Sequence, residues 1–250
     1  MLTRTCPLVE VAVDSVASAT MAAALGAGRL ELCQDLELGG TTPSLGLIEA
    51  VRERVAIPVV VMIRPRAGDF GYGPDEIRVM ERDIRHAALA GANGVVVGPL
   101  TADGGIDQEG LKRLVAIAGP IPVTFHRAFD SVTRPLKSLE VLMANGVARL
   151  LTAGGGTTAY EGRAAIGRLV RRAGSELTVI AGGGVTAEHV SALVNATEVP
   201  EIHLSGSSLV RVTAGEFGMT PVPNPGRLMR LMDALRLIPG PRPRERGPDS

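Results

Sequence analysis

The chain has 250 residues, 45% of them apolar, with 26 basic and 26 acidic side chains and a formal net charge of zero. That balance leaves no electrostatic footprint for nucleic acid or an anionic membrane, and aromatics at 2% with no Trp exclude a platform of stacked rings for bases or sugars. The opening MLTRTCPLVEVAVDS holds no apolar run of signal-peptide or membrane-span length, so the expected location is the cytoplasm, with Cys6 and Cys33 reduced.

Along the chain, short apolar runs that read as strands alternate with amphipathic runs that read as helices. The expected strands are Leu8–Val13, Arg29–Cys33, Val59–Ile63, Gly94–Gly98, Val123–His126, Arg149–Thr152, Leu177–Ala181 and Glu201–Leu204. The helices are Val16–Leu25, Leu45–Arg54, Asp75–Ala90, Gln108–Ala118, Arg134–Asn145, Ala159–Arg172, Ala187–Asn195 and Pro225–Leu235. Gly26-Ala27, Gly91-Ala92 and Gly146-Val147 precede strands, where glycine suits the left-handed end of a helix. Eight such units in this length predict an α/β fold, a single-domain (β/α)8 TIM barrel over residues 1–238. A doubly wound open sheet needs fewer strands and a nucleotide-binding glycine loop after the first, which this chain lacks. Residues 239–250, PGPRPRERGPDS, have no apolar surface to bury and read as a disordered Pro/Arg-rich tail.

Strand side chains alternate, so one residue in two faces the lumen. The apolar rows pack on helices, which leaves Glu10, Ala12 and Asp14; Arg29, Glu31 and Cys33; Met62 and Arg64; Thr124 and His126; and His203 and Ser205 facing inward. The run Ile121–Asp130, IPVTFHRAFD, ends a strand in three ionisable groups. Buried charge is costly unless it is paired or bound by a ligand. Glu10, Glu31, Arg64 and His126 are therefore expected to share one cavity at the C-terminal end of the barrel. The two carboxylates are expected to pair with Arg64, Arg66, His126 and Arg127. A purely structural ion-pair network is the competing reading.

Two loops add to this picture. Ala181-Gly182-Gly183-Gly184 and Ser205-Gly206-Ser207-Ser208 follow the seventh and eighth strands, where barrels commonly hold phosphate on backbone N–H groups. Gly183, Gly184, Ser205 and Ser207 are the candidate anion contacts; a tight strand-to-helix turn explains the glycines equally well. Asp107 reads as an N-cap rather than a cation ligand, and His86 and His189 as surface residues on helices.

The ordered set VEVAVDS, RLELCQDLELGGTTPSLGLI, VMIRPRAGDFGY, LTADGGID, PVTFHRAFD and IAGGGV resembles the CutC family of copper homeostasis proteins, from about Val9 to Ser208. The resemblance implies a cytoplasmic TIM barrel, a homo-oligomer and a role in copper homeostasis with Cu(I) binding. Ala12, Gly71 and Val132 stand at or near positions where the family often carries cysteine, so the thiol it leaves for metal is Cys33. Cu(I) prefers thiolate and thioether ligands, and Cys33 with Met62 and His126 or His203 makes a thin set. The polar residues Glu10, Glu31, Arg64, Arg66, Asp69, His126, Arg127 and Asp130 are present.

Two functions fit. In the first, Cu(I) binds at the barrel mouth on Cys33. In the second, the barrel is an enzyme of lyase, aldolase or epimerase type for a small phosphorylated or carboxylated metabolite. Arg64 and Arg66 would then clamp the anion, with Asp69, Arg127 and Asp130 around it. His126 would carry the proton, with Glu10 or Glu31 as its partner. Schiff-base chemistry is disfavoured because Lys112 and Lys137, the chain's two lysines, fall on helices. No organic cofactor is expected.

Overall fold

The structure is a computed structural model and describes residues 6–205, 207–211 and 219–238. Eight parallel strands close into a barrel in chain order. They are β1 (Leu8–Val13), β2 (Arg29–Leu32), β3 (Val59–Met62), β4 (Gly94–Val97), β5 (Val123–Phe125), β6 (Arg149–Thr152), β7 (Thr178–Gly182) and β8 (Glu201–Ser205). The helices α1 (Val16–Ala24), α2 (Leu45–Arg52), α3 (Pro74–Leu89), α4 (Gln108–Ala118), α5 (Pro135–Ala144), α6 (Arg163–Ala173), α7 (Ala187–Thr197) and α8 (Pro225–Arg236) follow in alternation. This is the expected single-domain (β/α)8 barrel.

Local chemistry sets the element ends. Ser15 and Ser18 cap α1 reciprocally, Ser44 caps α2, and Asp107 accepts from Gly110 N–H at 3.0 Å to open α4, as expected. Gly26, Gly91 and Gly146 all take positive φ where a helix hands over to a strand. β2, β3, β4 and β5 stop one residue early, at Cys33, Ile63, Gly98 and His126, where the chain enters the loops of the mouth. Helix α6 starts at Arg163 rather than Ala159. Gly162 lies so close to the Ala153 carbonyl that a Cβ there would sit 1.8 Å from its oxygen, so residues 159–162 form a turn. An antiparallel hairpin, β9 (Ser207–Arg211) with β10 (Met219–Pro223), intervenes before α8 and was not expected. Its second strand holds Pro221 and Pro223, which argue against a strand in sequence but suit an edge. The side chain of Ser207 and the tail 239–250 lie outside the described residues.

Two apolar clusters separate the layers. The large one joins Val9, Val11, Val13, Leu30, Leu32, Val61, Ile63 and Phe125 to the helices. The small one, Cys33, Val60, Met62 and Val96 with Leu36, belongs to the opposite strand faces inside the barrel. Below the mouth the lumen is plugged by charge. The register sets Glu10 beside Arg29 on β2 and His203 on β8. Arg29 bridges Glu10 and Glu201, and Arg149 Nε donates to Thr124 Oγ1 at 3.2 Å. Removing the Arg29 guanidinium would leave Glu10 with His203 alone and Glu201 without this partner, a loss of about 3–5 kcal/mol for a buried pair.

Candidate functional site

At the C-terminal end of the barrel a cavity of about 280 Å³ opens between the strand ends. Glu31, Arg64 and His126 line it together with Met62, Phe70, His203 and Ser205. Glu10 does not. It is fully buried one step deeper, its Oε2 taken by Arg29 and its Oε1 accepting His203 Nδ1–H at 2.8 Å. The expected sharing of one cavity thus holds for three of the four residues, and Glu10 reaches the fourth wall through His203.

Each of the three carries a buried polar atom without a close hydrogen-bond partner among the described residues: Glu31 Oε1, Arg64 Nε and His126 Nε2, with Tyr72 Oη, likewise unmatched, beside Arg64. All three residues are nearly inaccessible, with 3%, 4% and 5% of their surface exposed. Buried polar atoms left unmatched cost about 1–3 kcal/mol each, so three on residues lining one cavity mark a place for a ligand.

Their surroundings fix their roles. Among the described residues Arg64 does not pair with a carboxylate, contrary to expectation. Its Nη1 donates to Leu38 O (2.8 Å) and Gly40 O (2.9 Å), and its Nη2 to Gly68 O (2.8 Å), which holds the guanidinium rigid. Phe70 packs on both donors, 5.0 Å from the Arg64 guanidinium carbon and 5.0 Å from the His126 ring. His126 Nδ1 accepts Ala128 N–H at 3.1 Å, which places the ring hydrogen on Nε2. Burial, then the Arg64 charge, depress its pKa to about 3. His126 is therefore a fixed neutral donor, not a proton carrier at neutral pH.

The group suited to moving protons is one strand away. His203 faces Glu10 through Nδ1 and Glu31 Oε2 through Nε2 at 3.7 Å. Burial disfavours its charged form, but Glu31 and Glu10 outweigh that and raise its pKa. The two glutamates are driven apart. Burial pushes both up, yet the His203 hydrogen bond and the His203 and Arg29 charges bring Glu10 down to about 2. Burial dominates at Glu31, with Glu10 adding to it against the pull of His203, and its pKa rises. Two carboxyls pushed in opposite directions are the pattern of an acid/base assembly. His203 lies in the inward row of EIHLS, so alternation alone marks it, although IPVTFHRAFD carries the denser charge.

The remaining candidates divide. Gly183, Gly184, Ser205 and Arg127 line the cavity, and the two glycines have φ of 107° and 62°. Arg66 lies outside it, bound to Glu76 (2.6 Å) and Asp69 (3.0 Å), because Pro65 ends the alternation that would have turned it inward. Asp69 is exposed and absent from the cavity wall. The Asp130 oxygens accept from Arg127, Thr152, Ala153 and Gly155, tying the loop after β5 to the loop after β6. Asp130 holds loops together rather than facing a ligand. His86 and His189 are exposed, as expected.

The mouth does not fit Cu(I). Cys33 is fully buried against Val60, Met62 and Val96 and is not on the cavity wall. Its thiol lies 3.6 Å from Glu31 Oε2 as a donor, and burial, then Glu31, push its pKa well up, away from the thiolate that copper needs. Glu10, Glu31 and His203 each offer a donor atom within 4.8 Å of the others. These are oxygen and nitrogen donors, and both Glu10 oxygens are already engaged.

The CutC family model matches residues 7–208. The "Copper homeostasis protein cutC homolog" of Homo sapiens is 49% identical over 201 residues, covering 80% of this chain and 74% of that protein. A family protein CutC of Histophilus somni is 44% identical over 200 residues, covering 80% and 82%. The crystal structure of CutC from Streptococcus agalactiae superposes with a TM-score of 0.75 at 35% identity, covering 79% of this chain and 97% of that one.

Proposed function

From the premise that this chain belongs to the CutC family of copper homeostasis proteins, we propose that its barrel mouth binds a small, oxygen-rich organic anion and performs acid/base chemistry on it. The observation that carries this reading is the set of three partnerless buried atoms, Glu31 Oε1, Arg64 Nε and His126 Nε2, on residues around one cavity. At about 280 Å³ the cavity is just below the roughly 300–1,000 Å³ typical of pockets for drug-sized ligands, so the ligand has few carbons. Arg64 and His126 meet its oxygens. Gly183, Gly184 and Arg127 also line the cavity and accommodate a phosphate or carboxylate tail. Arg66, bound to Glu76 and Asp69, and Asp130, bound to Thr152 and Ala153, are outside this reading. The protein acts in the cytoplasm, and a homo-oligomer is compatible with a mouth built within one chain.

Calorimetric titration with 2-phosphoglycolate tests the site. The wild type should bind saturably, and His126→Ala should weaken binding at least ~10-fold, the loss of one charge-assisted or buried hydrogen bond. No saturable binding, or equal affinity in the variant, overturns the reading. Copper is the second reading, favoured by the family's copper-homeostasis role and by the Glu10, Glu31 and His203 donors. An anaerobic Cu(I) competition titration should show only weak binding. Tight stoichiometric binding lost in Cys33→Ser would restore copper.

A further inference from the structure

Resting on the mouth being a small-anion site, we propose that it enolises a small α-hydroxy carbonyl or α-keto acid, with Glu31 accepting the carbon-bound proton and His126 and Arg64 donating to the carbonyl oxygen. The three partnerless atoms are of two kinds: two donors, His126 Nε2–H and Arg64 Nε–H, and one carboxyl oxygen, Glu31 Oε1. That set is complementary to a carbonyl with a neighbouring C–H. The oxygen that gains charge meets the donors, and the hydrogen that leaves meets the acceptor.

The step balances without a cofactor. The C–H bond breaks and its proton passes to Glu31 Oε1. The bonding pair forms C=C, and the C=O π pair moves onto oxygen, where the two N–H groups hold it. Returning the proton to the same carbon restores the carbonyl. Returning it to the neighbouring carbon, with the hydroxyl hydrogen moving between oxygens, exchanges aldehyde and ketone.

Preorganisation supports the assignment. Donors stabilise developing negative charge best when they need not move. Arg64 is anchored on three backbone carbonyls, and His126 is fixed by Ala128 N–H. The second oxygen of Glu31 faces His203 Nε2 at 3.7 Å, a separation for a proton to cross with slight closure or one water. Glu10 steadies His203 from below at 2.8 Å. Neither lysine is near: Lys112 is on α4 and Lys137 on α5, so a Schiff base is not the electron sink here.

The test is hydrogen exchange in D₂O followed by proton NMR. Dihydroxyacetone phosphate, ribulose 5-phosphate and pyruvate are incubated with the full chain, while 2-phosphoglycolate binding is measured on the same preparation. At least one probe should lose its C–H signal ~10-fold or more faster than in protein-free buffer, and Glu31→Gln should slow that exchange by ~100-fold or more, the scale of general base catalysis. If Glu31→Gln does not fold, His126→Asn takes its place, with a loss of at least ~10-fold. Binding of 2-phosphoglycolate with no exchange of any probe overturns enolisation and leaves the anion site standing. Exchange unchanged in the variant overturns the role of Glu31. Failure of 2-phosphoglycolate to bind removes the site and this chemistry together.

Discussion

At the residue scale, the site depends on His126 staying neutral. Its unfolded pKa is near 6.5 and its folded value about 3. Between those limits the unfolded chain binds a proton that the folded chain refuses, so the His126 contribution is full above pH 6.5 and is lost as pH falls. Other groups have different windows. The raised His203 contributes below its unfolded value and loses that as pH rises. Glu10, lowered to about 2, loses its contribution only below about pH 4.5. The raised Glu31 gains stability as pH falls and so opposes His126. A difference measurement isolates the histidine. Denaturant unfolding of wild type and His126→Asn should converge by roughly 2–3 kcal/mol between pH 6.5 and 4.5, at 1.36 kcal/mol per pH unit; parallel curves would show that His126 titrates normally. Period-two alternation was enough to turn Glu31, Arg64, His126 and His203 inward. It could not reach Arg66, because Pro65 breaks the period and Glu76 takes the guanidinium, nor show that Asp130 would be occupied by Thr152 and Ala153, contacts made across 22 and 23 residues of sequence.

At the element scale, β4 makes room for the site. Gly98, just past its last residue, stands where a Cβ would lie 2.0 Å from His126 Cε1 and 2.3 Å from Nδ1. No positive φ is needed there; the requirement is space. Gly98→Ala must displace the imidazole, so it should cost about 1–3 kcal/mol as overpacking and weaken 2-phosphoglycolate binding as much as His126→Ala does. Wild-type affinity and melting temperature in Gly98→Ala would mean that the ring is not held where it is drawn. The strands and helices were readable because burial and capping act within each element. The late start of α6 was not, because it depends on Gly162 meeting Ala153 across the loop. The hairpin β9–β10 escaped because Pro221 and Pro223 argue against a strand in its second half.

At the scale of the whole molecule, the barrel was legible because the same unit recurs eight times, and only one closed architecture uses that repeat in this length. Closure then brings the inward rows together. Glu10, Glu31 and Glu201 meet Arg29, Arg64 and Arg149 within or beside one lumen. Glu10 and Glu201 are answered by Arg29, Glu31 faces His203, and Arg64 is held by backbone carbonyls rather than by a carboxylate. The sequence showed which charges turn inward but not how they pair, since pairing follows from register between β1, β2 and β8. The most direct test of an anion site at the mouth is a crystal structure grown with 2-phosphoglycolate and without added metal. The anion should lie in the cavity with one oxygen within hydrogen-bond distance of both His126 Nε2 and Arg64 Nε. A cavity empty of it, with the anion bound elsewhere or a metal on Cys33, would contradict the account.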